Sequence, residues 1–211
     1  MSDTRRPKEL ARDLAHRLIT RARTSLGIPS RARLEKPELA YVLPLGHEAH
    51  NWMTALQVEI LQRHGVNEGL IAPPHITLKL GFKRPELAVF GAYLDEVAKA
   101  TPAFEVTLRG IDSFDDGVIF VDVEPTPALD QLRRKIVREL SERYGVEPRP
   151  LEGDQFQFHA TLAYGLPEKA FEEERARLSR LKPVFRFQAQ TLSMLAHTGK
   201  HWITYRRQEL L

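Results

Sequence analysis

A seven-residue pattern occurs twice in this chain, as His75-Ile-Thr-Leu-Lys-Leu-Gly81 and as His159-Ala-Thr-Leu-Ala-Tyr-Gly165, both reading His-x-Thr-Leu-x-x-Gly. The histidines at 75 and 159 are 84 positions apart. Each copy is short and apolar at alternate positions, so each predicts a strand. Side chains alternate across a strand. Simple alternation sets His75, Thr77 and Lys79 on one face, with Ile76, Leu78 and Leu80 on the other. In the second copy it groups His159, Thr161 and Ala163 against Ala160, Leu162 and Tyr164. A lone histidine in a strand is usually structural, and a lone threonine is an ordinary strand former. Packing accounts for a repeated Leu and Gly but not for a His-x-Thr repeated on the polar face. Paired imidazoles flanked by paired hydroxyls suit acid-base chemistry on a phosphate.

The rest of the sequence supplies a frame for such strands. Residues 6–25 carry leucines every four positions and predict a helix ended by Gly27 and Pro29. Leu39–Leu45 reads as a strand, and His47–His64 as a helix with Trp52, Leu56, Ile60 and Leu61 on its apolar stripe and Gly65 as its stop. Pro85 suits the first position of a helix over 85–100. Phe104–Ile111 and Val118–Val123 read as strands joined through Asp115-Asp116-Gly117. Pro127–Tyr144 and Pro167–Leu181 read as helices, residues 145–156 as a polar loop, and Phe185–Leu195 and Trp202–Arg206 as the closing strands. The order predicts an α+β chain of two similar halves, forming two antiparallel-sheet lobes with outer helices and a groove between them, preceded by an extra N-terminal helix. We read 1–36 as a basic helix and connector, and 37–211 as a domain of two interlocked lobes.

Composition narrows the chemistry. There is no cysteine, which removes disulfides, thiolate nucleophiles and cysteine-ligated zinc. No apolar run approaches the roughly 20 residues of a membrane span, and no secretory signal is expected, so a cytoplasmic location is the default. Residues 1–36 hold ten basic and four acidic residues, a net of +6, which leaves the rest of the +3 chain at −3. Such an arm suits contact with RNA or another polyanion, although a solvated helix face has the same composition. His47 and His50 lie three apart on a helix without a third ligand at a suitable spacing, so no metal site is expected. Neither a glycine-rich phosphate loop nor a Gly-x-Ser-x-Gly motif is present.

The double His-x-Thr-Leu motif, its spacing and the surrounding α/β order resemble the 2H phosphoesterase superfamily over about residues 38–206. Within it the chain is similar to the 2′-5′ RNA ligase-like branch, which includes RNA 2′,3′-cyclic phosphodiesterases. The resemblance implies a bilobal fold, a central groove, and His75 with Thr77 facing His159 with Thr161. It implies metal- and cofactor-independent catalysis in which one imidazole activates water and the other protonates the departing ribose oxygen, while Thr77 and Thr161 bind the phosphoryl oxygens. Which histidine is the base stays open. The second motif in that branch often ends in an arginine; here the place is Tyr164, and Lys79 is the candidate replacement cation. Tyr41, Phe82, Phe156, Tyr164 and Trp202 are aromatics near strand ends, any of which would stack a base. Lys79, Tyr164, Tyr41 and Phe82 are the candidate substrate contacts, with Arg149 a further phosphate candidate. The expected partner is RNA or a cyclic or 2′-5′-linked nucleotide, and no membrane. Alternatives are a 2′-5′ RNA ligase, which runs the same chemistry backwards, a non-catalytic RNA-binding module with the same groove, and a scaffold docking a partner through its N-terminal helix.

Overall fold

A computed structural model describes residues 37–211. The N-terminal helix read over 6–25 and the basic arm lie outside the described residues. The elements in chain order are β1 (Glu38–Pro44), α1 (His47–His64), β2 (His75–Lys83), α2 (Leu87–Lys99), β3 (Phe104–Phe114), β4 (Val118–Val123), α3 (Pro127–Tyr144), β5 (His159–Ala163), α4 (Glu168–Leu178), β6 (Val184–Ala189), β7 (Thr191–His197) and β8 (Trp202–Glu209). Single 3₁₀ turns, Glu68–Ile71 and Pro150–Glu152, precede the two motif strands.

Local chemistry sets several of these bounds. α1 ends at Gly65, whose φ of 74° lets its amide reach the Leu61 carbonyl at 2.7 Å. α3 begins at Thr126, whose hydroxyl accepts from the Leu129 amide at 3.2 Å, with Pro127 in the first turn. The first helix buries Ala49, Met53, Leu56, Gln57 and Ile60, a stripe rotated from the predicted one: Trp52 is half-buried against Phe185, and Leu61 faces solvent. α2 starts at Leu87, so Pro85 stands before the helix rather than in its first turn.

The strands form two four-stranded antiparallel sheets, ordered β2-β1-β7-β8 and β5-β4-β3-β6. The two halves repeat strand, helix, motif strand, helix, as β1-α1-β2-α2 and β4-α3-β5-α4. Each motif strand is a sheet edge, and the two edges approach each other. The halves interlock: α1 packs on β5, the motif strand of the other half, and α3 packs on β2. The strand predicted over Phe185–Leu195 is two strands broken at Gln190. Ala189 pairs with Phe104 in one sheet and Thr191 with Glu209 in the other, so the chain crosses between sheets at that residue. Among the described residues no helix is long and apolar enough to cross a membrane.

Candidate active site

The same irregularity shapes both motif strands. On β2, Thr77 pairs with Val42 and Lys79 with Tyr41, so one step of β1 faces two of β2 and Leu78 is the extra residue. On β5, Thr161 pairs with Phe120 and Ala163 with Ile119, leaving Leu162 extra. A bulge shifts the alternation of side chains by one residue. His75, Thr77, His159 and Thr161 precede it and line one groove of about 310 Å³. Lys79 and Ala163 follow it and are fully buried, while Leu80 and Tyr164 return to the groove. This corrects the simple alternation, which put Lys79 in the groove and Leu80 and Tyr164 behind it.

The two imidazoles are held alike. Nδ1 of His75 lies 2.7 Å from the Pro73 carbonyl oxygen, and Nδ1 of His159 lies 2.9 Å from that of Gln157. A carbonyl only accepts, so each Nδ1 carries the hydrogen and each Nε2 is left for the groove. Burial lowers both pKa values below the usual 6.5. The backbone bonds oppose that shift in both rings. His159 lowers His75 further, whereas Asp122 and Asp116 pull His159 upward.

Behind each motif strand sits a buried clamp supplied by the loop before the other motif. Asn67, just ahead of β2, donates from Nδ2 to the Leu162 carbonyl at 3.1 Å, and its Oδ1 accepts from the Tyr164 amide at 3.4 Å. Gln57 on α1 donates to the Thr161 carbonyl at 3.0 Å. Reciprocally, Glu152, ahead of β5, accepts from the Leu80 amide at 2.7 Å and from Lys79 Nζ at 2.6 Å. The Leu80 and Tyr164 amides are equivalent positions, five residues after each motif histidine. Arg133 on α3 holds this loop through the Glu152 and Gly153 carbonyls, with its guanidinium 4.6 Å from the Phe156 ring centre. Each half-site therefore depends on the loop of the other.

Several residues proposed from sequence stand elsewhere. Lys79 is neutralised by Glu152 and cannot meet a phosphate. Tyr41 is fully buried with its hydroxyl on the Phe90 carbonyl at 2.8 Å, and Phe82 packs edge-on against Phe90 in the same core. Both were drawn inward because their strand faces carry the sheet-to-helix core. Phe156 packs on Phe158, and Arg149 pairs with Glu38 at 3.2 Å. Tyr164 and Trp202 do line the groove. Among the described residues no lysine or arginine lines it, and Glu68 contributes a carboxylate. Gln57, Asn67 and Glu152 were missed. Asn67 and Glu152 lie in the polar segments ahead of the motifs, and Gln57 reads only as one polar position of a helix.

The chain matches the model of the 2′-5′ RNA ligase superfamily over residues 45–201. No curated protein matches it. Its fold is similar to that of TT0787 of Thermus thermophilus, with a TM-score of 0.57 and 19% identity over 82% of this chain and 97% of that one. It is similar too to E. coli LigT complexed with 3′-AMP, with a TM-score of 0.53 and 19% identity over 83% and 98%. The E. coli LigT structure complexed with NADP+ gives a TM-score of 0.54 and 19% identity over the same shares. The duplicated motif, the paired sheets and the match over most of the chain agree, and the protein belongs to the 2′-5′ RNA ligase superfamily of 2H phosphoesterases.

Proposed function

We propose that the groove hydrolyses a 2′,3′-cyclic phosphate or a 2′-5′ phosphodiester in RNA or nucleotides. The observation carrying this reading is the duplicated His-Thr pair, with both Nδ1 atoms tied to carbonyls and both rings lining one cavity. In this mechanism Nε2 of one imidazole takes a proton from water as the water oxygen attacks phosphorus. The bond to the ribose oxygen breaks, and that oxygen takes the proton from Nε2 of the other, protonated, imidazole. The hydroxyls of Thr77 and Thr161 donate to the non-bridging oxygens, where charge develops. A nucleotide occupant agrees with the E. coli LigT complexes with 3′-AMP and NADP+.

The test is a panel of nucleoside 2′,3′-cyclic phosphates, 2′-5′ dinucleotides and cyclic-phosphate-ended RNA, incubated with the full chain in EDTA. Metal-independent ring opening or 2′-5′ cleavage is expected. Binding without turnover of any of them, with or without added divalent ions, would contradict the proposal.

The lowered histidine pKa values give a pH dependence with a definite sign. Activity needs one neutral and one protonated imidazole, a state most populated midway between the two pKa values. Both lie below 6.5, so the bell in kcat/KM, which reports the free enzyme, is centred on the acid side of 6.5. The same shifts act on stability: the unfolded chain binds more protons between the lowered values and 6.5, so stability falls on acidification through that window. Steady-state rates and thermal melts across pH 5–8 check both.

A further inference from the structure

The two halves of the groove align residue by residue at the His-Thr pairs and differ in the strands behind them. Opposite Thr77 stands Val42, and opposite Thr161 stands Phe120. Two residues along β1 and β4 lie Ala40 and Val118, both lining the groove. Their neighbours on the third strands are Leu195 and Phe114. In the second half the aromatics close over the imidazole: Phe114 and Phe120 lie with ring centres 4.4 Å apart, and 5.1 and 5.2 Å from the His159 ring. In the first half the equivalent positions hold smaller Leu195 and Val42, and Ala40 lies between them. The outer strands differ as well. β6 pairs with β3 only over Phe104–Arg109 and leaves Phe114 uncovered, whereas β8 runs beside β7 and brings in Trp202. Trp202 packs against the Ala40, Val42 and Leu195 cluster and lines the groove.

Resting on the phosphodiesterase reading above, we infer that Ala40, Leu195 and Trp202 form a nucleobase subsite on the His75–Thr77 half of the groove, which places the nucleoside there. The chemistry of this floor selects the occupant. It is apolar with one aromatic face and, among the described residues, has no cation, while Glu68 sets a carboxylate in the same groove. A neutral base is accepted there and a second phosphate is not. The groove's 310 Å³ stands at the low end of the roughly 300–1,000 Å³ of small-molecule pockets, which is room for one nucleotide at the histidines.

The experiment compares kcat/KM of the full chain on a nucleoside 2′,3′-cyclic phosphate and on ribose 2′,3′-cyclic phosphate, which lacks the base. The wild-type protein is expected to favour the nucleotide by about 5- to 100-fold, the usual worth of one base stacked on an aromatic side chain. Trp202→Ala removes most of that preference through KM, and Trp202→Phe restores much of it. Ala40→Val, which copies Val118 into the first half, lowers the preference without disturbing the β7–β8 hairpin and guards against a misfolded Trp202→Ala. An unchanged ratio in both Trp202→Ala and Ala40→Val, with both substrates turned over, overturns the subsite alone. Turnover by the wild-type protein of neither substrate, nor of a 2′-5′ dinucleotide, overturns the phosphodiesterase reading and the subsite with it.

Discussion

Replacing His75 or His159 with alanine is expected to lower turnover of a cyclic phosphodiester by about 10²–10⁴-fold in either case, the usual worth of one positioned proton-transfer group. The fold should survive both changes. Each ring is half-buried at the groove, and its one hydrogen bond is to a backbone carbonyl, which water can satisfy once the ring is gone. Burial already disfavours the charged form of both rings, so losing one removes a source of acid sensitivity. The two groups act in one proton-transfer cycle, so the double variant should lose far less than the product of the single losses. Steady-state kinetics beside thermal melts measures this, and retention of most activity by either single variant would contradict the assigned roles.

The second large effect is on stability and comes from a residue that touches no substrate. Glu152→Ala is expected to destabilise the protein by about 3–5 kcal/mol, because it leaves the Lys79 ammonium buried without its carboxylate. The loss is compounded at the Leu80 and Arg149 amides, which both donate to the same carboxylate. At about 2–4 °C per kcal/mol for a chain of this size, the melting temperature should fall by roughly 6–20 °C. Pairing Glu152→Leu with Lys79→Met removes both charges and should recover most of the loss, since an apolar pair of similar volume replaces a buried ion pair at little cost. The double variant still lacks the anchor on Leu80, so its kcat should stay below the wild-type value after stability returns. A Glu152→Ala protein that melts within a degree of wild type would show that the clamp carries no weight.

The His-Thr pairs were legible because two constraints coincided: the alternation of a strand and the recurrence of the same polar pair. The bulge behind them was not. Leu-Lys-Leu and Leu-Ala-Tyr continue the alternating pattern through Leu78 and Leu162, so nothing in either segment marks where one residue is inserted against the partner strand. Lys79 was misplaced for that reason, and its true partner Glu152 lies 73 positions away in a loop that reads as polar and exposed. The end of α1 was legible because Gly65 alone adopts the left-handed conformation there. The break at Gln190 was hidden because no Gly or Pro marks it, and changing sheets alters the partners of a strand and not its composition. Trp202 could not be told from Tyr41 or Phe82 by type or by nearness to a strand end. Only the run of β8 along β7, where β6 in the second half stops short of Phe114, gives it a distinct place.

The most direct test of the central claim, that His75 and His159 act as a complementary acid and base, is the pH profile of kcat/KM for wild type and both alanine variants on one cyclic phosphodiester. A bell centred below pH 6.5 is predicted for wild type, with the acid limb missing from the residual activity of one variant and the alkaline limb missing from that of the other. A bell that keeps both limbs in either variant would contradict the account.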